Sequence, residues 1–129
     1  MLRFSALILL LSALALAGCG GGGGQTGGGG SATGDAAKGK TVFETTGCIA
    51  CHALRAATGA TGTTGPDLNG VGTRAGTRKP GTAAADYLRE SEKTPNAFVL
   101  EGFPRDTMPA WTGTDAQLND LIAFLLDQK

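Results

Sequence analysis

The chain has 129 residues with 11 Lys or Arg and 11 Asp or Glu, so its formal net charge at neutral pH is zero. A charge balance of this kind, without a basic stripe, gives no reason to expect a nucleic-acid partner. Only five Phe, one Tyr and one Trp occur, so the side chains alone supply little material for an apolar core.

The first 18 residues have the organisation of an export signal. Arg3 gives a positive start, and an almost unbroken apolar run follows from Phe4 to Ala17. That run is shorter than the about 20 apolar residues that a permanent membrane-spanning helix needs. It ends in LAGC at residues 16–19, which resembles the lipobox of bacterial lipoproteins and implies cleavage before Cys19 and lipidation of its sulfur. A plain signal peptide with an incidental cysteine is the alternative.

A glycine-rich segment follows the presumed cleavage point. Residues 20–34 contain ten glycines in fifteen positions, and the others are small or polar. Such a segment buries nothing, which predicts a flexible tether with an r.m.s. span of roughly 20 Å. A phosphate-binding loop is disfavoured, because no strand precedes the segment and no Lys-Ser/Thr closes it. The predicted organisation is therefore a signal peptide at 1–18, an acylated cysteine with a tether at 19–34, and one domain at 35–129.

The domain opens with a predicted helix that is capped by Asp35 and runs to about Thr45. Gly39 lies in its middle, where glycine costs about 1 kcal/mol relative to alanine. We therefore expect something bulky to approach this face, which Gly39 shares with Phe43. Gly47 is expected to end the helix.

Residues 48–52 read CIACH, two thiols followed at once by the only histidine of the chain. This spacing suits covalent attachment of haem, with the sulfurs of Cys48 and Cys51 on its two vinyl groups and a neutral nitrogen of His52 on the iron. A structural zinc site needs four ligands, and the domain offers only these three. A thioredoxin-like redox pair needs a βαβ setting, for which the strands are missing.

The middle of the domain is poor in apolar residues. From Ala53 to Pro80 it predicts mostly irregular loop, with room for a turn of helix after the GPDL sequence at 65–68. A second helix is predicted over Thr82–Glu92 with Thr82 as its cap, and Pro95 follows its end. Its inward-facing residues are expected to be Ala85, Tyr87 and Leu88. Residues 102–113 predict another loop, and loops of such length are unusual unless a function such as wrapping a cofactor explains them.

Met108 lies in this last loop and is the only methionine left after removal of the signal. A soft thioether favours the ferrous state and raises the redox potential, so Met108 is the candidate for a second iron ligand. A core-filling methionine is the alternative, which its place in a loop beside Pro109 disfavours.

The last helix has the clearest pattern. Thr114 and Gln117 predict a capping box at its start. An apolar stripe with helical spacing follows, at Leu118, Leu121, Ile122 and Leu125. No segment alternates with period two, so the predicted class is all-α with long loops.

Four features together resemble the class I mono-haem cytochrome c family over nearly all of residues 35–129. They are CIACH at 48–52, GPDL at 65–68, Met108-Pro109, and the amphipathic terminal helix. The segments 87–91, 95–99 and 103–109 are further similar to the cytochrome c domain of haem–copper oxidase second subunits, here without the copper-binding portion.

The resemblance implies a class I cytochrome c fold around one covalently bound haem c, with thioether links at Cys48 and Cys51 and with His52 and Met108 as the axial iron ligands. The carbonyl of Pro66 would accept the N–H of the proximal histidine. Further contacts implied or considered are Leu68 on the haem face and Trp111 and Arg74 near the propionates.

The resemblance also implies that Gly39 and Phe43 meet the last helix near Phe124. The implied function is that of an electron carrier and not an enzyme, passing one electron between a quinol-oxidising complex and a terminal oxidase of a respiratory chain. With the lipidated Cys19, the expected location is the outer face of the cytoplasmic membrane, on the periplasmic or extracellular side. Two alternatives stay open: a haem-bearing subunit of a permanent oxidase or reductase complex, and a haem protein that binds ligands or acts as a peroxidase.

Overall fold

The computed structural model describes residues 33–129, which contain five helices joined by loops and no strand. The helices are α1 Ala36–Thr45, α2 Cys48–Cys51, α3 Val71–Arg78, α4 Ala84–Lys93 and α5 Asp115–Leu126. The predicted all-α class is thereby confirmed. The predicted signal peptide, Cys19 and almost all of the predicted tether lie outside the described residues. None of the helices in 33–129 combines the length and apolar character needed to cross a membrane.

The first and last helices form the framework of the domain, because α1 packs on α5 more extensively than any other two helices pack together. A Cβ added to Gly39 would collide with the main-chain oxygen of Asp120 and would lie 2.8 Å from Cβ of Phe124. One turn further along α1, the rings of Phe43 and Phe124 meet with centroids 5.9 Å apart. The close approach expected at Gly39 is thus made by the backbone of α5.

Both framework helices begin at the predicted caps. The carboxylate of Asp35 accepts hydrogen bonds from the amides of Ala37 and Lys38. At the start of α5, Thr114 and Gln117 form a reciprocal capping box. The predicted apolar stripe of α5 is buried, with Leu118, Leu121, Ile122 and Leu125 all in the core.

The region from Ala53 to Pro80 was predicted as mostly loop with a turn of helix after residues 65–68. It contains α3, a helix of eight residues, so the predicted extent of helix was too short. Its two Gly and two Thr have weak helix propensity. Packing overrides that propensity: Val71 and Ala75 are buried one turn apart, and Gly72 lets the helix approach the carbonyl of Leu126 at the end of α5. Tertiary contact therefore stabilises a helix that its sequence alone would not.

The predicted cap of α4 is also wrong. The helix begins at Ala84 with Ala83 as its N-cap residue, and no side chain caps it. Thr82 instead closes a turn, where its amide donates to the carbonyl of Lys79 at 3.1 Å. The inward-facing residues were predicted correctly, since Ala85, Tyr87 and Leu88 are buried.

Candidate functional site

A cavity of about 510 Å³ is lined by α2, α3, α4, the loops on either side of them and two residues of α5. Its volume is within the range of ~300–1,000 Å³ that ligand pockets occupy. Much of the wall is apolar, including Val71, Leu88, Phe98, Val99, Leu100 and Phe103. All six residues predicted to contact haem line it, namely Cys48, Cys51, His52, Pro66, Leu68 and Met108.

The cysteine motif follows α1 directly. Gly47 has a φ of +92°, a left-handed conformation that glycine adopts without strain, and it turns the chain between the two helices. The motif itself forms the single turn α2, which was not predicted, and His52 leaves it in an extended conformation. Cys48 and Cys51 are half-buried free thiols, and burial raises the pKa of the Cys48 thiol. Within residues 33–129, no three or more His, Cys, Asp and Glu side chains are arranged to hold a metal ion together.

The imidazole of His52 is buried and held by one hydrogen bond. Its Nδ1 lies 2.8 Å from the carbonyl oxygen of Pro66. Because a carbonyl can only accept, Nδ1 must carry a proton, and this tautomer leaves Nε2 as the nitrogen that can bind a metal ion. Gly65 packs against the same ring, where an added Cβ would lie 2.6 Å from Cε1 of His52.

The loop that carries Pro66 and Leu68 is fastened to the cysteine motif by its backbone. The amide of Gly65 donates to the carbonyl of Cys51 at 2.8 Å, and the amide of Leu68 donates to that of Ala53 at 2.9 Å. Residues 56–64, which connect the cysteine motif to this loop, contribute only Thr64 to the cavity wall.

The loop that carries Met108 is tied at two points. Asn96 and Asp106 exchange two hydrogen bonds of 2.8 Å through their side chains and the amide of Asp106. Beyond the methionine, the amide of Trp111 donates to the carbonyl of Glu92 at 2.8 Å. These bonds position a half-buried Met108 at the cavity wall.

The two residues considered for propionate contacts also line the cavity, and both already donate hydrogen bonds to the protein. The guanidinium of Arg74 donates to the carbonyls of Asn69 and Asp67. The indole N–H of Trp111 donates to the carbonyl of Thr114 at 3.2 Å. A role for either residue at the propionates stays a prediction.

Glu92 is the acidic cavity residue that the sequence analysis missed. It is half-buried on α4 and lines the cavity beside Ser91. Burial raises the pKa of its carboxyl to about 7. A signal was present in the sequence, because Glu92 follows Leu88 by four residues and Ala85 by seven, which places it on the inward stripe of the helix.

The site combines an apolar cavity, two free thiols and an imidazole that offers Nε2. This combination is typical of small helical proteins that hold a covalently attached haem. The family model for cytochrome c matches residues 36–129, more than half of the chain, and the chain belongs to the cytochrome c family. That family binds covalent haem c, to which the CxxCH sequence of Cys48, Cys51 and His52 is suited, and its members carry electrons between redox partners. Comparison with curated protein sequences gave no match.

Proposed function

We propose that this chain is a lipid-anchored carrier of single electrons that holds its haem c between His52 and Met108. The observation that supports this ligand pair most directly is that both side chains line one apolar cavity although they come from distant segments. Bound there, the haem supplies Fe(III)/Fe(II) chemistry of one electron. With His52 and Met108 as ligands, no coordination position on the iron would remain for a substrate.

The other residues of the cavity would hold the haem and orient its histidine ligand. In the proposal the sulfurs of Cys48 and Cys51 fix the porphyrin edge, and the bond from Nδ1 of His52 to Pro66 keeps Nε2 aimed at the metal. Leu68 and its apolar neighbours exclude water from the ring. A dry, rigid surrounding reorganises little when the charge on iron changes, which favours rapid transfer of an electron.

The partners follow from the likeness of residues 87–109 to the cytochrome c domain of oxidase second subunits. We infer a quinol-oxidising complex as the electron donor and a terminal oxidase as the acceptor. A lipid on Cys19 and a flexible tether would hold the domain near both complexes and raise its effective concentration there. Stoichiometric co-purification with an oxidase would instead assign the chain to a permanent complex.

The axial ligation is tested with Met108→Leu in the haem-loaded protein. Leucine nearly preserves the side-chain volume and removes the sulfur, so it separates ligation from packing. We expect the midpoint potential to fall by tenths of a volt, within the ~0.8 V range that axial ligands span. The reduced variant should also bind carbon monoxide, which the parent protein should not. An unchanged potential without carbon monoxide binding would assign the ligand to another residue.

The anchor is tested with Cys19→Ser. We expect this variant to lose its lipid and to leave the membrane fraction, while the visible spectrum of its haem stays that of the parent. Labelling with a radioactive fatty acid checks the lipid directly. Retention of the label by Cys19→Ser would contradict the proposed anchoring.

A further inference from the structure

An acidic residue of α4, Glu92, belongs to the wall of the cavity. The face of α4 that lines it carries Tyr87, Leu88, Ser91 and Glu92. Leu88 and Tyr87 are buried, as an apolar wall requires. The hydroxyl of Ser91 donates a hydrogen bond to the carbonyl of Tyr87 at 3.0 Å. Glu92 is different, because an ionised carboxylate on such a wall costs free energy unless a partner compensates for it.

The charged neighbours of Glu92 on its own helix are held by other residues. Their partners, at 2.6–2.8 Å, are Asn119 for Arg89, Lys79 for Glu90 and Asp115 for Lys93. Within the described residues, burial is the one influence on the pKa of Glu92, and neither a cation nor a hydrogen bond to the carboxylate offsets it.

Within residues 33–129, the elements that surround Glu92 bring no cation that affects its pKa. From α2, the thiol of Cys48 has its pKa raised in part by the charge of Glu92. From the Met108 loop, Glu92 meets the amide of Trp111, which binds its main-chain carbonyl and not its carboxylate. The cationic residues of the cavity are Arg74 and Arg78 of α3. Both also line a second recess next to the cavity, and Glu92 does not line that recess. The remaining titratable groups of the cavity are Cys51, His52, Asp67 and Tyr87.

An unpaired carboxyl in such a cavity responds to any change of charge beside it. The positive charge that ferric iron places in the cavity favours the carboxylate, and its loss on reduction favours the neutral acid. Resting on the electron-carrier function above, we propose that Glu92 couples a proton to the electron, binding one when the haem is reduced and releasing it on oxidation.

The coupled step balances with reactants that the carrier already uses. A donor protein delivers one electron, which converts Fe(III) to Fe(II), and water delivers one proton, which converts the carboxylate of Glu92 to a carboxylic acid. Oxidation by the acceptor protein returns both. Over the pH range in which this coupling operates, the midpoint potential falls as the pH rises. For a one-electron couple, the midpoint potential changes by at most about 59 mV for each tenfold change of proton concentration.

The test is the midpoint potential of the haem-loaded protein, measured from about pH 5 to about pH 9, a range that spans the titration of a buried carboxyl. Glu92→Gln keeps the shape of the side chain and removes the charge. The matched control is Asp86→Asn, the same change on an exposed residue of the same helix. We expect parent and control to share a falling potential, and Glu92→Gln to hold the acid-limit value of the parent at every pH. If the glutamine variant does not mature, Glu92→Leu should give the same flat profile.

A second readout detects the proton itself. The infrared difference spectrum between reduced and oxidised protein should contain a carbonyl band of a protonated carboxylic acid, absent from Glu92→Gln and retained in Asp86→Asn. A flat profile in the parent, or a slope that survives in Glu92→Gln, would overturn the proposal and assign any remaining coupling to another group such as a haem propionate. Failure of the carrier function would be seen separately, as carbon monoxide binding by the parent protein.

Discussion

Gly65 leaves no room for a side chain beside the imidazole of His52. An added Cβ would lie 2.6 Å from Cε1 and 2.9 Å from Nδ1 of the ring. The next residue supplies the carbonyl that orients Nδ1. Two consecutive residues therefore fix the position of the proximal imidazole. Pro66 accepts its hydrogen bond, and Gly65 leaves space for the ring because it has no side chain.

Gly65→Ala tests this packing. The methyl group should push the ring away and weaken its bond to Pro66, at a cost of about 1–3 kcal/mol in the free energy of unfolding. Chemical denaturation of the haem-loaded protein measures the cost, and the visible spectrum should change because the ligand has moved. Full stability with an unaltered spectrum would show that the ring position does not depend on Gly65.

Glu92 should make stability depend on pH. Burial raises its folded-state pKa from 4.5 to about 7, so the folded protein binds the proton more tightly than the unfolded chain does. The resulting stabilisation is complete below pH 4.5 and is lost as the pH rises through about 7. In the reduced holoprotein, Glu92→Gln should remove this loss, which is on the order of 1–3 kcal/mol.

Denaturation of parent and Glu92→Gln at several pH values checks this sign. The difference in unfolding free energy should grow in favour of the variant as the pH rises. A difference that grows in favour of the parent would mean that an unseen cation stabilises the carboxylate.

The residues of the site differ in how far the sequence could predict them. Thiol, imidazole and thioether groups each have a specific role in binding haem, so the sequence could predict that the CxxCH motif at 48–52 and the single remaining methionine meet in one cavity. Glu92 could not be assigned in the same way, because a glutamate on a helix is usually solvated. The helical spacing places Glu92 on the inward stripe of α4, but only the structure shows that a cavity lies against that stripe.

The α1–α5 contact is the element that organises the fold, and Gly39 is its closest point. Gly39→Ala should force the helices apart against the backbone of Asp120, with a loss of about 1–3 kcal/mol or more in stability. Gly76→Ala is the matched control, because its Cβ would lie 3.9 Å from Cβ of Ala84 in ordinary contact. The control should be neutral or more stable by up to about 1 kcal/mol.

Thermal unfolding of the two alanine variants, compared with the parent, distinguishes a packing effect from an effect of helix propensity. Equal stabilisation of both variants would mean that α1 and α5 separate without cost at Gly39.

The helices also differ in how well their sequences predict them. Helices α1 and α5 have side-chain caps and, in α5, a regular apolar stripe. Both bounds of α1 and the start of α5 were predicted correctly. Helix α3 has neither feature, and it exists because Gly72 allows contact with the carbonyl of Leu126. Contacts between segments so far apart are invisible to propensity and pattern.

The whole molecule combines a small helical framework with long connections that enclose a cavity. The loops at 52–70 and 94–114 together supply Pro66, Leu68 and Met108. Their composition predicted loops, but the paths depend on individual hydrogen bonds such as the exchange between Asn96 and Asp106. A covalent haem in this space would complete a core that the few aromatic side chains cannot fill.

We propose that one haem is bonded to Cys48 and Cys51 and ligated by His52 and Met108. The most direct measurement is the visible spectrum of protein matured in a host able to attach haem, recorded native and again after denaturation and acidic organic extraction. We expect the pigment to stay with the chain throughout, and the native oxidised form to show a sulfur-to-iron charge-transfer band at the red end that Met108→Leu lacks. A colourless folded protein whose two motif thiols still react with a thiol reagent would contradict the claim.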